Sequence, residues 1–283
     1  MKSNLRLRAT LIAGGLISLA APGQALAPSE TTRLAPHRAV YDMTLDGSSS
    51  GASLSGIRGR MVFDFAGSSC EGYTLNMRMV TQVTDRSGRS TLTDLRSSTW
   101  EAGQGEQFRF NSRRFLNQKL NETTRGNAAQ VGTGRGLEVK INSPKADKLN
   151  LSGKFLFPTQ HSLAILAAAE KGRSIVQANV YDGSEKGKRA YATTAFIGKA
   201  RAPAPEERLE SVENDAVLGK LRSWPVTISY FDKSKSGDPV PSYELTFRLY
   251  ANGVSRKLRI DYGDFAVRGS LSSLEFFDVT PCR

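Results

Sequence analysis

Two histidines, His37 in APHRAVYD and His161 in PTQHS, and two cysteines, Cys70 in GSSCEGY and Cys282 in DVTPCR, are the residues whose types best suit acid–base, nucleophilic or metal chemistry. A metal site needs three or four ligands of matching softness and spacing. The chain has no HExxH, no HxH and no clustered aspartates, so the sequence points to no metal and no cofactor. Nucleophilic catalysis needs a Ser or Cys beside a base that a third group orients, and the chain is too rich in serine to single one out. His161 falls in the first turn of a predicted helix, where the dipole disfavours a protonated imidazole. The expectation for both histidines is a neutral ring that ties a loop or cap. The glycines of WEAGQGEQF and GTGRGLEV have strand-like residues on both sides and therefore read as turns, not as a phosphate cradle. No catalytic residues are assigned.

The compartment decides what the cysteines do. Lys2, Arg6 and Arg8 precede an apolar run from Ala9 to Ala21 and then small residues, the pattern of a secretory signal over residues 1–27. Cleavage fits after Ala27 or, because Pro28 would follow that bond, after Ala25. The run is too short to span a bilayer comfortably, and no later segment is apolar for long enough to anchor the chain. An exported protein in an oxidising compartment favours a disulfide between Cys70 and Cys282 over a reactive or metal-binding thiol. Such a bond would close a loop of roughly 210 residues, for which the chain-entropy model gives about 5 kcal/mol.

Loss of the leader removes three positive charges and no carboxylate, lowering the formal charge from +12 to +9. Interspersed Lys, Arg, Asp and Glu read mainly as a solvated surface, with anionic headgroups or acidic partners as the alternative. Nucleic acid is not an expected partner outside the cytoplasm.

Period-two alternation runs through most of the mature chain. Tyr73, Leu75, Met77 and Met79 share one face, as do Met61, Phe63 and Phe65, and again Trp224, Val226, Ile228 and Tyr230. These are half-buried antiparallel strands. In YELTFRLYANGVSRKLRIDY, Asn252-Gly253 suits a two-residue type I′ turn. That turn sets Leu245 opposite Ile260, Phe247 opposite Leu258 and Arg248 opposite Lys257. One segment breaks the pattern: TQHSLAILAAAEKG, 159–172, predicts a helix with Thr159 as N-cap, Gly172 as stop, and Leu163, Leu166 and Ala167 as its apolar stripe. Residues 209–221 are a short helix or a loop. With no separating linker, residues 28–283 are expected to form a single domain.

A long twisted antiparallel sheet must curl, and its concave face must be filled by side chains or by a guest. Met77, Met79, Phe108, Phe110, Leu245 and Phe247 are the candidates to line that face.

The stretches LAPHRAVYDMTL (34–45), SCEGYTL (69–75), KFLFPTQH (154–161), VYDGSEKG (180–187), SWPVTISYFD (223–232) and YELTFRLYANGVSRKLRIDYGDFAVRGSLSSLEFFDVTPC (243–282) together resemble the alphaproteobacterial cell-envelope integrity protein B family. The match covers nearly the whole mature chain and both cysteines. The resemblance implies a periplasmic, non-enzymatic protein built as a curled antiparallel β-spiral, an open barrel-like sheet of about fourteen strands around one short helix, closed by a disulfide between Cys70 and Cys282. It also implies a role in envelope integrity with a periplasmic tetratricopeptide-repeat protein as partner, and a likeness in shape to lipoprotein and lipid carriers. The leading expectation is therefore a protein-binding scaffold of the envelope. A carrier of a lipid or amphiphile comes second, and a hydrolase of envelope polymers is a distant third.

Overall fold

The computed structural model describes residues 34–132, 134–204, 212, 215–234 and 240–278. The leader at 1–27 and Cys282 lie outside the described residues. Alternating β-branched, aromatic and polar residues produce long strands in the first half: β1 (His37–Ser48), β2 (Leu54–Ser68), β3 (Gly72–Asp85), β4 (Ser90–Glu101), β5 (Gln107–Leu116), β6 (Lys119–Val131), β7 (Gly136–Ser143) and β8 (Asp147–Ser152). A two-residue strand β9 (Phe155–Leu156) and helix α1 (Pro158–Glu170) follow. The second half holds β10 (Ile175–Val180), a 3₁₀ turn (Glu185–Gly187), β11 (Tyr191–Ile197), the short helix α2 (Asp215–Gly219), β12 (Ser223–Asp232), β13 (Tyr243–Tyr250), β14 (Ser255–Asp261) and β15 (Phe265–Phe276).

All fifteen strands form one sheet in the order β8-β7-β6-β5-β4-β3-β2-β1-β15-β14-β13-β12-β11-β10-β9. Every neighbouring pair is antiparallel except β9 with β10. The first and last strands pair in the middle, where β1 meets β15. The two edges, β8 and β9, are consecutive in the chain and are joined through Gly153 and Lys154 without a ladder between them, so the sheet is not closed. Side chains bridge this seam instead: Gln130 Nε2 donates to the Phe155 carbonyl at 2.9 Å, and Lys188 pairs with Asp147 at 2.8 Å.

The β13–β14 hairpin departs from its expected turn. The Gly253 N–H bonds the Tyr250 carbonyl and the Tyr250 N–H bonds the Val254 carbonyl, so the loop has three residues and only Gly253 takes a positive φ. This is the turn-plus-glycine form of hairpin. It shifts Leu249 opposite Ser255 and Arg248 opposite Arg256, not Lys257. A bulge with Lys257 at φ 55° then inserts a second extra residue and restores Leu245 opposite Ile260. Two irregularities cancel because a net one-residue slip would turn the apolar face of the strand outward.

Helix α1 starts at Pro158, which suits a first-turn position, and ends at Glu170, with Lys171 as C-cap and Gly172 at φ 69° just beyond it. Its buried face is Thr159, His161, Ile165, Leu166, Ala168 and Ala169, so Leu163 and Ala167 are not on the central stripe. Ile165 and Leu166 pack with Ala195, Ile197, Trp224, Val226, Ile228 and Leu249 on the inner face of the second-half strands. Thr159 is not the N-cap. Phe157 occupies that place without a side-chain cap, and Glu101 of β4 supplies the acceptor.

Candidate functional site

Strand alternation sends one set of side chains from each half of the sheet to the same interior. Met61, Phe63 and Phe65 of β2, Leu75 and Met77 of β3 and Leu95 of β4 face Ile228 of β12, Leu245, Phe247 and Leu249 of β13 and Leu258 and Ile260 of β14 across one cavity of about 570 Å³. Strands distant in the sheet order share this space, which shows that the sheet curls around it. The volume falls within the range of about 300–1,000 Å³ usual for small-molecule sites.

Of the six residues predicted to line the concave face, Met77, Phe110, Leu245 and Phe247 do so. Met79 lies on the same face of β3 and, like Met77, packs against the cluster formed by Ile57, Met61 and their neighbours, but it does not line the cavity. Phe108 is fully buried in another cluster, where its ring stacks on Phe157 at 5.0 Å and on Phe110 at 5.9 Å. At Phe108 the neighbouring rings occupy the space that a guest would need.

One region of the cavity wall is polar. It is built from Ser112 and Arg114 of β5, Glu122 and Thr124 of β6, and Asp182, Ser184, Glu185 and Lys186 of the connection after β10. Lys186 sits 3.7 Å from Glu122. Burial raises the Asp182 carboxyl above the usual carboxylate range, against the Ser184 N–H that donates to it at 2.9 Å. Burial also raises the phenol of Tyr230, which stacks on Tyr243 with centroids 4.4 Å apart. A long apolar body with a charged region at its wall is the complement of an amphiphile. Sequence reading missed this polar region, because Arg114 and Glu122 look like any outward charges until β5 and β6 are placed in register opposite each other.

Both histidines border the cavity. His37 Nδ1 donates to the Ala35 carbonyl at 2.7 Å, and burial lowers its pKa. Thr193 Oγ1 already donates to the Ala178 carbonyl at 3.0 Å, so the His161 Nε2–H must be the donor in its 3.2 Å contact with Thr193. Burial lowers His161 to about 4. Neither ring is oriented by a carboxylate in these contacts, which a nucleophilic relay would require. The string GSSSG at 47–51 spells Gly-x-Ser-x-Gly, but it joins β1 to β2, whereas a nucleophile elbow joins a strand to a helix. Among the described residues no three His, Cys, Asp or Glu are grouped to hold a metal ion. No helix among them is long and apolar enough to cross a membrane.

One unclosed, mostly antiparallel sheet curled around an apolar cavity defines a β-barrel-like cavity protein. The chain belongs to the EipB-like family, whose profile matches residues 28–278. It is 40% identical over 257 residues to the cell envelope integrity protein EipB of Brucella abortus (strain 2308), covering 90% of this chain and 88% of that protein. It is also similar to the crystal structure of a β-barrel-like protein of a domain of unknown function from Brucella abortus, with a TM-score of 0.79 and 39% identity over 87% of this chain and 100% of that one.

Proposed function

We propose that this protein is exported to the periplasm and maintains the cell envelope, without catalysis, by carrying a lipid or another amphiphile inside its curled sheet. The observation that carries this reading is the unfilled apolar cavity of about 570 Å³ between the two halves of the sheet, with its polar wall at Arg114, Glu122 and Lys186. An interior packed by its own side chains would have favoured the pure scaffold. Membership of a family with an envelope-integrity relative supplies the setting.

Native mass spectrometry of the protein released from cells without detergent tests the reading. Wild type should carry an added mass of lipid size, and Leu245→Trp/Phe247→Trp, which narrows the cavity, should carry less of that mass and protect a deletion strain less well against envelope stress. A bare wild-type protein, together with full protection by the narrowed variant, would overturn it.

A second reading, docking of a periplasmic tetratricopeptide-repeat protein, is favoured by one surface feature. Ile175 and Phe196 are directly opposed on β10 and β11 and are each 51% exposed. Replacing both with serine should abolish co-purification of that partner if the pair is its docking point, and unchanged recovery would remove this reading.

A further inference from the structure

The outer face of β4 to β7 carries a second hollow, also about 570 Å³. Alternation places it on the opposite side of the sheet from the amphiphile cavity: Arg109 and Asn111 point out where Phe110 and Ser112 point in. Its rim is Trp100, Arg109, Asn111, Arg125, Asn127 and Asn142, and no Asp or Glu lines it. The Arg109 guanidinium lies 4.8 Å over the Trp100 ring, which fixes its orientation. Neither Arg109 nor Arg125 forms an ion pair among the described residues. Asp94, further along the same face of β4, is already held by Arg78 at 2.9 Å and Arg96 at 2.8 Å.

A sheet face that is merely solvated mixes charges of both signs, and the neighbouring Arg–Asp ladder does so. The hollow does not. Two uncompensated guanidinium groups present planar forks that match carboxylate or phosphate. Three primary amides each offer donors and an acceptor, the capacity that sugar hydroxyls use. A lipid surface would need no such amides, and an acidic peptide would not call for three of them beside an aromatic ring. We infer that this hollow binds an anionic oligosaccharide, with Arg109 and Arg125 on its acidic groups and Asn111, Asn127 and Asn142 on its hydroxyls. The site is independent of the interior cavity and of what that cavity carries.

Isothermal titration at low salt tests it with a hexasaccharide of alternating glucuronate and N-acetylglucosamine, a neutral hexamer of N-acetylglucosamine, inorganic phosphate, and phosphatidylglycerol vesicles. The acidic hexasaccharide should bind at least about tenfold tighter than the neutral one, and Arg109→Ala/Arg125→Ala should weaken it by about tenfold or more, as expected when charge-assisted bonds are lost. Arg58→Ala, on the outer face of β2 where Arg58 bonds Gln82 at 3.2 Å, should weaken it less than about twofold. No binding of the acidic sugar, equal binding of the neutral one, or binding of phosphate or vesicles alone would overturn the inference. So would an equal loss in Arg58→Ala, which would mark diffuse charge. All three arginines are exposed, so unchanged unfolding midpoints will show that the variants are intact.

Discussion

Glu101 on β4 caps α1 from 58 residues away: its carboxylate accepts the Thr159 N–H at 2.8 Å and the Gln160 N–H at 2.9 Å. The first N–H groups of a helix have no partner within it, and a negative charge there also meets the positive end of the helix dipole. Phe157 and Pro158 give no local cap, so the helix depends on the sheet for one. Glu101→Ala would bury two unpaired donors and is expected to cost roughly 2–4 kcal/mol in urea unfolding. Glu101→Gln keeps one acceptor and should lose about half as much. Equal stability of the alanine variant and wild type would show that the cap is dispensable.

The same carboxyl and His161 should impose opposite pH dependences. Burial, only partly offset by the Thr159 and Gln160 bonds, raises Glu101 to about 7 from 4.5. The stabilisation linked to this shift is full below pH 4.5 and is lost as pH rises through about 7. Burial lowers His161 to about 4 from 6.5, so its stabilisation is full above pH 6.5 and is lost as pH falls through about 4. In wild type the two effects oppose each other between pH 4.5 and 6.5. On moving from pH 7 to 4.5, Glu101→Gln should lose roughly 2–3 kcal/mol relative to wild type, and His161→Gln should gain a similar amount. Urea unfolding at the two pH values measures both, and variants that keep the wild-type pH slope would refute the assignment.

Gly183 holds the polar connection against the cavity wall. Its φ is 72°, and a Cβ there would fall 2.5 Å from Phe110 Cγ. Gly183→Ala should therefore combine backbone strain with a collision and cost roughly 2–4 kcal/mol. Gly88→Ala, with φ 83° and open space around it, should cost only the backbone part, about 1 kcal/mol. The difference between the two thermal unfolding shifts isolates the collision with Phe110.

We propose that Cys70 pairs with Cys282, on the family resemblance and on the oxidising compartment that the leader implies. Cys70 is exposed in the turn between β2 and β3. Cys282→Ser should lower stability by up to about 5 kcal/mol in oxidising buffer and leave it unchanged in reducing buffer. Identical melting of variant and wild type in both buffers would remove the bond from the account.

Strand alternation made the faces of β2, β3 and β12 legible, because a two-residue period is a local property of the chain. It could not separate Met77 from Met79. Both occupy the same face of β3 and both pack against the cluster of Ile57 and Met61, and only the height at which the opposite wall approaches decides that Met77 also borders the cavity. The hairpin shows the same limit: Leu245 does face Ile260, yet through a three-residue loop and a bulge at Lys257 that no dipeptide signal announced.

By itself the sequence determined what short-range chemistry controls: strands from alternation and one helix within residues 159–172. The tertiary structure alone decided that Glu101 caps α1, that His161 bonds Thr193, that Arg114 and Glu122 meet an apolar cavity, and that Arg109 and Arg125 line a hollow without acids. Each of these depends on residues brought together by the curl of the sheet, and the path of that curl is the sum of many small strand twists, which no single stretch of the chain encodes.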